Sequence, residues 1–405
     1  MKSLKEKIEA LSGFLEKWKN ISIATKADNM QLINLAKNMP MKAGELEISY
    51  DHGELYEAFP QLIGDSHIIL VWRNSPDKST EIVGTATIVF SNKNISGREC
   101  GTAYFSSLRL SESMNLRVRA QWRKQYGEII EIIKNDNAFS DIEFLYTAVL
   151  DKNMKALNAF TKSKSFEYRK FTTYTSVSVV AKIPILNRVA KTLRFGRDKI
   201  LISEIPIHAD DAFRFLTTQI EKATLSPVLK GDQVILQRET EKDYSKHYQV
   251  KIAGEIVGIF KTSSTDKSRS IRLLKVSSKI KLFNLLLVLL GRKPFKENKK
   301  ISVLNIDLFT VSSELCSELK TDVVREILEF LLSSKEYRGF HTINFIEPFG
   351  FLNKDSDFLR RKLVYSGFVF HVEKGSVFEV SLPGDPYENK LEQKNCNALL
   401  EVGLL

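Results

Sequence analysis

The chain has 405 residues, 43% of them apolar and 10% aromatic, a size that exceeds what one hydrophobic core ordinarily organises. Its three cysteines, Cys100, Cys316 and Cys396, are far apart and odd in number, which excludes a disulfide framework and a zinc spacing and points to a reducing, cytoplasmic compartment. The net charge of +11 is local: 182–199 carries +5 and 276–300 carries +6, so no general polyanion-binding surface, and no nucleic-acid partner, is expected.

Residues 1–20 are charged and amphipathic, with a helix expected over 4–18 and no apolar core of a signal peptide. Ile21-Ser22-Ile23-Ala24-Thr25 reads as a short strand and 28–37 as a helix. A turn at 40–44 precedes a strand over 46–50. Residues 53–60 read as a short helix or an acceptor-side loop. The runs 67–73 and 81–91 form two strands of a hairpin. Residues 92–98 turn the chain into 101–110, an aromatic and β-branched strand. A polar loop follows, through Ala120. Trp122, Tyr126, Ile129, Ile130 and Ile133 then recur at helical spacing and predict a helix over 122–134. A strand at 142–149, a helix at 153–160 and a strand at 169–175 complete this part.

Leu186, Val189, Ala190 and Leu193 share one face of a basic amphipathic helix over 182–199, which reads as a linker. The plan then repeats: strand 200–206, helix 210–222, a hairpin over 248–260 turning at Ala253-Gly254, and strand 271–276. The insertion 276–300 holds the apolar run 282–290 between Lys279, Lys281, Arg292 and Lys293. That run is far too short for a ~30 Å hydrocarbon core. It either packs on the 186–193 face or lies in an anionic membrane interface. Strand 301–310, helix 323–332, strand 341–347, a helix ending in Ser366-Gly367-Phe368, a strand over 377–382 and a tail at 384–405 follow.

Strand, loop, helix, strand, helix, strand over 101–171 suits an acyl-coenzyme A. A loop ahead of a helix offers free N–H groups and a positive dipole end to a pyrophosphate. This order resembles the GNAT acyltransferase superfamily. The 104–110 strand resembles the family strand that hydrogen-bonds pantetheine, with Leu108, Arg109 and Leu110 as its contact segment and its N–H groups as the oxyanion contact. Asn115 to Ala120 stands where the family has Gln/Arg-x-x-Gly-x-Gly/Ala. Val118 replaces the first glycine, so direct phosphate contact falls to Arg117, Arg119 and Arg123. Asn153-x-x-Ala156-x-x-x-Phe160 resembles the family's Asn-x-x-Ala-x-x-x-Tyr helix, in which Asn153 is either a pantetheine contact or a plain N-cap. Phe160 has no proton to give, so the family's general acid must be replaced; Tyr168 and Tyr174 are candidates, with core packing or a surface position the competing reading for each.

The resemblance implies an α/β (α+β) protein of two GNAT-like domains, each a mixed, mostly antiparallel twisted sheet flanked by helices. The acyl-CoA-binding domain would span 21–181. A degenerate copy would span 200–383, its loop after 310 acidic where a phosphate would sit. The implied activity is acyl transfer, most simply N-acetyl transfer, from acetyl-CoA or another acyl-CoA, without a metal. The acceptor is a small-molecule or peptide amine between 53–60 and the domain interface. Two alternatives remain. One is a catalytically inactive binding module, favoured by Val118 and Phe160. The other acts at the inner membrane face on a lipid-linked acceptor, with 182–199 and 276–300 as peripheral contacts. No base is nominated: Glu54, Glu57, Glu81 and Glu99 are equivalent on sequence.

Overall fold

A computed structural model of the chain describes residues 2–43, 46–95, 97–161, 166–183, 200–205, 210–221, 223, 225–228, 245–347 and 355–385. The expected linker helix over 182–199 lies outside these from 184 on, as does the tail from 386.

Strict alternation in the first half's strands separates two faces. Ala86, Ile88 and Phe90 of Ile82–Ile95 and Ala103 and Phe105 of Arg98–Leu110 turn to one side. Helices Leu4–Leu15 and Leu116–Asn135 cover that side, and their Leu11, Leu15, Trp122, Tyr126, Ile129, Ile130 and Ile133 complete the core. Each such burial contributes about 1.5–3 kcal/mol. The first helix is held by a capping box between Ser3 and Glu6 and by the Lys7 ammonium, 2.9 Å from Asp141 and over the Phe90 ring. Thr85, Thr87, Val89, Tyr104 and Ser106 lie on the other face, by the same alternation.

The second half repeats the plan. Arg98–Leu110, Leu116–Asn135 and the parallel Phe144–Leu150 correspond to Val303–Val311, Ser317–Ser333 and the parallel Thr342–Ile346. Each opening strand breaks its register once, at a residue with left-handed backbone: Ser107 (φ 54°) and Leu308 (φ 46°). Each bulge lies eight residues before the N-cap of the next helix, Asn115 or Cys316.

The halves interlock. Strand Phe368–Ser381 crosses into the first half and lies between Phe144–Leu150 and Glu167–Lys182. Glu167–Lys182 in return pairs with Thr342–Ile346 of the second half. Among the described residues one 13-stranded sheet results, running from Ile21–Ile23 to Leu201–Glu204. A four-stranded sheet crosses the seam too: Lys300–Ile301, Ser270–Val276, Leu46–Asp51 and Met41–Ala43.

Boundaries differ from expectation at several elements: the 40–44 turn forms strand Met41–Ala43 along Leu46–Asp51, and the helix expected over 323–332 starts at Ser317. The helix expected from 122 starts at Leu116, because Asn115 caps it with Oδ1 accepting from Val118 N–H at 2.8 Å. Residues 92–98 continue a long hairpin, since Lys93 and Asn94 pair with Ser226 and Pro227 as well as with the returning strand. The strands read as 169–175 and 377–382 run over Glu167–Lys182 and Phe368–Ser381, because each is sandwiched between two partners.

Candidate active site

The parallel pairing of Arg98–Leu110 with Phe144–Leu150 lasts only from Thr102↔Phe144 to Tyr104↔Tyr146. Thr147 Oγ1 then donates to the Phe105 carbonyl at 2.8 Å, and the strands part. Beyond that point, among the described residues, Arg98–Leu110 is paired only with Ile82–Ile95. Its other edge opens a wedge with backbone donors and acceptors available to an extended ligand. The Ser107 bulge lies at the mouth of the wedge.

The expected site residues divide around this wedge. Leu108 and Leu110 pack their side chains on the helix-covered core, so only their backbone can serve a ligand. Arg109 turns to the opposite face, reaching the Ala36 carbonyl at 3.4 Å and packing over the Tyr50 ring at 5.0 Å. Arg117 is exposed in the first turn of the helix. Val118 is buried in the core beneath it, so its β-carbon points away from any ligand at the helix tip. Arg119 folds back to donate to the Ser111 carbonyl at 2.7 Å, and Ala120 is exposed in the next turn. Asn115 bridges to Asn74, its N–H donating to Asn74 Oδ1 at 2.7 Å. Asn153 serves as an N-cap, Oδ1 accepting from Ala156 N–H at 3.2 Å. Phe160 falls on helix Met154–Thr161, its side chain outside the described residues. Tyr168 is packed between Phe166 and Phe378. The Tyr174 ring packs against Gly375 and its hydroxyl is buried; burial first, then Tyr104, Asp151 and Glu373, raises its pKa so that it stays protonated at neutral pH.

The face opposite the helices gathers residues that the sequence reading did not single out. Tyr50 and Asp51 end strand Leu46–Asp51, His52 follows directly, and Tyr56 and Phe59 lie in the 53–60 region. Asn29 clamps this loop to helix Asn29–Asn38, donating to the Glu54 carbonyl at 2.7 Å and accepting from Tyr56 N–H at 2.9 Å. Arg269 comes from the second half, presented by a turn in which its N–H donates to the Thr265 carbonyl. Its guanidinium lies 3.5 Å from the Phe59 ring centroid and 4.6 Å from that of Tyr50. Gly53 (φ 63°) makes this docking fit: a β-carbon there would stand 2.9 Å from the Lys267 carbonyl.

The electrostatics of this face are positive. His52 stacks on Tyr56 at 4.3 Å and is pushed down to about 3 by burial, then by Arg269 and Arg109. It is therefore neutral at physiological pH. Burial pushes Tyr104 and Tyr56 up, with Arg269 opposing in both. His52 Nδ1 and Ser106 Oγ are buried with no hydrogen-bond partner among the described residues. Nothing in the local sequence of Arg269, Ser264-Thr-Asp-Lys-Ser-Arg-Ser270, marks it; only the cross-seam pairing of Ser270 with Asp51 brings it here. Among the described residues no cluster of metal-ligating side chains occurs.

No protein-family model matches the sequence, and no curated protein matches it. Solved structures do match in fold. N-myristoyltransferase of Saccharomyces cerevisiae with bound myristoyl-CoA is 10% identical, with a TM-score of 0.53 over 89% of this chain and 82% of that one. The same enzyme with myristoyl-CoA and inhibitors is 11% identical, with a TM-score of 0.54 over 94% and 86%. A tandem GNAT protein from the clavulanic acid biosynthesis pathway is 11% identical, with a TM-score of 0.50 over 90% and 98%.

Proposed function

We propose that this chain transfers an acyl group from an acyl-coenzyme A to an amine. The observation that carries the reading is the wedge: a parallel pair that parts beside a bulge, ahead of a capped helix, in a fold shared with an enzyme solved with myristoyl-CoA bound. Pantetheine amides would pair with the free edge beyond Phe105, and Arg117 at the helix tip would meet the phosphates. The acceptor's nitrogen attacks the thioester carbonyl carbon from the Tyr104–Ser106 face. An N–H of the 108–110 segment stabilises the oxyanion. The C–S bond then breaks, the sulfur pair leaves as the coenzyme thiolate and takes up a proton, and the amide forms. The amine's proton passes to solvent water.

Thiol release from acetyl-CoA and from myristoyl-CoA, followed with a panel of amines, tests the reading and ranks N-acetyl against longer-chain transfer. Arg117→Ala is expected to raise KM for the acyl-CoA about tenfold. Absence of thiol release with every amine, together with no thermal shift from either acyl-CoA, would overturn it in favour of a non-catalytic module.

A second reading, transfer at an anionic membrane surface, is favoured by helix Ser278–Leu289. It exposes Leu282 (71%), Leu285 (64%), Val288 (59%) and Leu289 (83%) along one side, with Lys279 and Lys281 at its start. No helix among the described residues is long and apolar enough to cross a membrane. Pelleting with phosphatidylserine vesicles but not phosphatidylcholine vesicles, lost in Leu285→Lys/Leu289→Lys, is the expected result. Equal recovery in the supernatant with both vesicles would sink it.

A further inference from the structure

Resting on the acyl-transfer reading, we propose that Asn29 is a positioning residue for the reaction: its side chain sets where the 52–57 loop lies against the face from which the amine attacks. One amide group makes both contacts. Its Nδ2 donates to the Glu54 carbonyl at 2.7 Å, and its Oδ1 accepts from the Tyr56 N–H at 2.9 Å. Asparagine carries a donor and an acceptor on one planar group, so a single side chain satisfies a carbonyl and an N–H two residues apart.

The helix that carries Asn29 has little freedom of its own, because Asn29–Asn38 and the residue before it are tied to three successive strands. Asp28 forms a buried ion pair with Arg73 of Ser66–Arg73 and accepts from Thr25 N–H at 2.8 Å. Gln31 Oε1 accepts from Ile82 N–H at 2.9 Å, where Ile82–Ile95 begins. The Ala36 carbonyl accepts from Arg109 of Arg98–Leu110 at 3.4 Å. Breaking one partner out of a buried charge pair is costly, so the first tie is the firmest. The last two of these strands carry Thr85, Thr87, Ser106 and the edge of the wedge. The helix is therefore a fixed bracket on the strands, and Asn29 hangs the loop from it.

The loop is pinned at its ends and exposed at its tip. Tyr56 is buried with Leu32, Ile33, Ala36 and Ile82, and the Thr85 and Thr87 hydroxyls act on its phenol against the effect of burial. His52 stacks on the Tyr56 ring at 4.3 Å. Gly53, Glu54 and Leu55 between them are exposed. Thr87 pairs with Ser106, so the loop lies against the strand face that ends at Tyr104–Ser106. A segment ordered by two bonds to one side chain moves when that side chain is removed, while the strands beneath it stay in place. A misplacement of about 1 Å costs on the order of a hundredfold in a positioned reaction.

Two measurements on the full chain test this. The first is hydrogen exchange, read by mass spectrometry, of the peptide 53–58 beside peptides from 30–38. Asn29→Ala should speed exchange at 53–58 at least tenfold and leave the helix within twofold. The second is thiol release from acetyl-CoA and myristoyl-CoA with each amine that wild type turns over. Asn29→Ala should raise KM for the amine tenfold or more, with kcat within threefold and KM for the acyl-CoA within twofold. Asn29→Asp keeps the acceptor for Tyr56 N–H and loses the donor to Glu54, so its KM should fall between. Gln31→Ala breaks a neighbouring tie of the same helix and should leave KM for the amine within twofold; a rise equal to that of Asn29→Ala would assign the effect to a loosened helix and overturn the proposal. Unchanged exchange at 53–58 in Asn29→Ala would overturn it as well. Faster exchange with an unchanged KM for the amine would overturn the positioning role and leave acyl transfer standing. Faster exchange with no turnover of any amine by wild type would remove the acyl-transfer reading and the positioning role with it, leaving Asn29 a clamp on the fold alone.

Discussion

Gly375 shows how one missing side chain sets a larger arrangement. It pairs with Tyr174 across the exchanged strands, and a β-carbon there would stand 2.1 Å from Tyr174 Cζ. Gly375→Ala must push the buried ring aside, so a loss of about 1–3 kcal/mol is expected in urea unfolding. His52 has a signature of its own. Its pKa falls from the usual 6.5 to about 3 in the folded protein. The unfolded chain therefore binds the extra proton between those values, and stability is full above about pH 6.5 and lost as pH falls toward 3. Urea titrations at pH 7, 6 and 5 should show wild type losing up to about 1.4 kcal/mol per pH unit more than His52→Asn. Parallel pH slopes for the two proteins would contradict the assigned burial. None of this was legible locally: His52 is one of six scattered histidines, and its environment is made by Arg269, distant in the chain.

At the scale of the element, the helix Leu116–Asn135 reverses one sequence argument. Val118, read as an obstacle where the family has glycine, is a core residue, and the helix tip is shaped by Asn115 and Arg119 instead. Val118→Ala should cost about 2 kcal/mol of stability while leaving acyl-CoA affinity within twofold. Tighter acyl-CoA binding in Val118→Gly would restore the glycine argument. The apolar face of Ser278–Leu289 behaves oppositely. Leu285→Lys/Leu289→Lys removes exposed groups only, so unfolding free energy should stay within about 0.5 kcal/mol of wild type. The 186–193 segment, expected from sequence as one partner for this face, lies outside the described residues.

The reciprocal exchange of strands makes the two halves one mechanical unit. Without the second half, Phe144–Leu150 loses its partner Phe368–Ser381, and Glu167–Lys182 loses both of its neighbours. Long unpaired apolar edges are aggregation templates. Expressed alone, residues 1–183 are expected to be insoluble, and coexpression with 200–385 is expected to rescue them. The full chain should unfold in one thermal transition. A soluble 1–183 with a cooperative melt would refute this account of the interlock.

What the sequence determined by itself was the order of elements and, through it, the fold class. Alternation in 82–91 and 101–110, helical spacing from Trp122 to Ile133, and the repeat of that plan after 200 are local patterns, and burial of one face enforces them whatever the partner. The strand and helix that border the wedge could be placed for the same reason, since they follow from local pattern, but the parting of the paired strands could not. The tertiary structure alone decided which strand lies beside which, and so which residues face each other across the seam. Tyr50, His52 and Arg109 are joined to Arg269 by the pairing of Leu46–Asp51 with Ser270–Val276. That pairing forms because two strands far apart in the chain complete each other's hydrogen bonds and cover the apolar cluster around Ile48, Leu273 and Val276. Such long-range complementarity leaves no periodic mark on either segment, so the charged face of the candidate site emerged only with the fold.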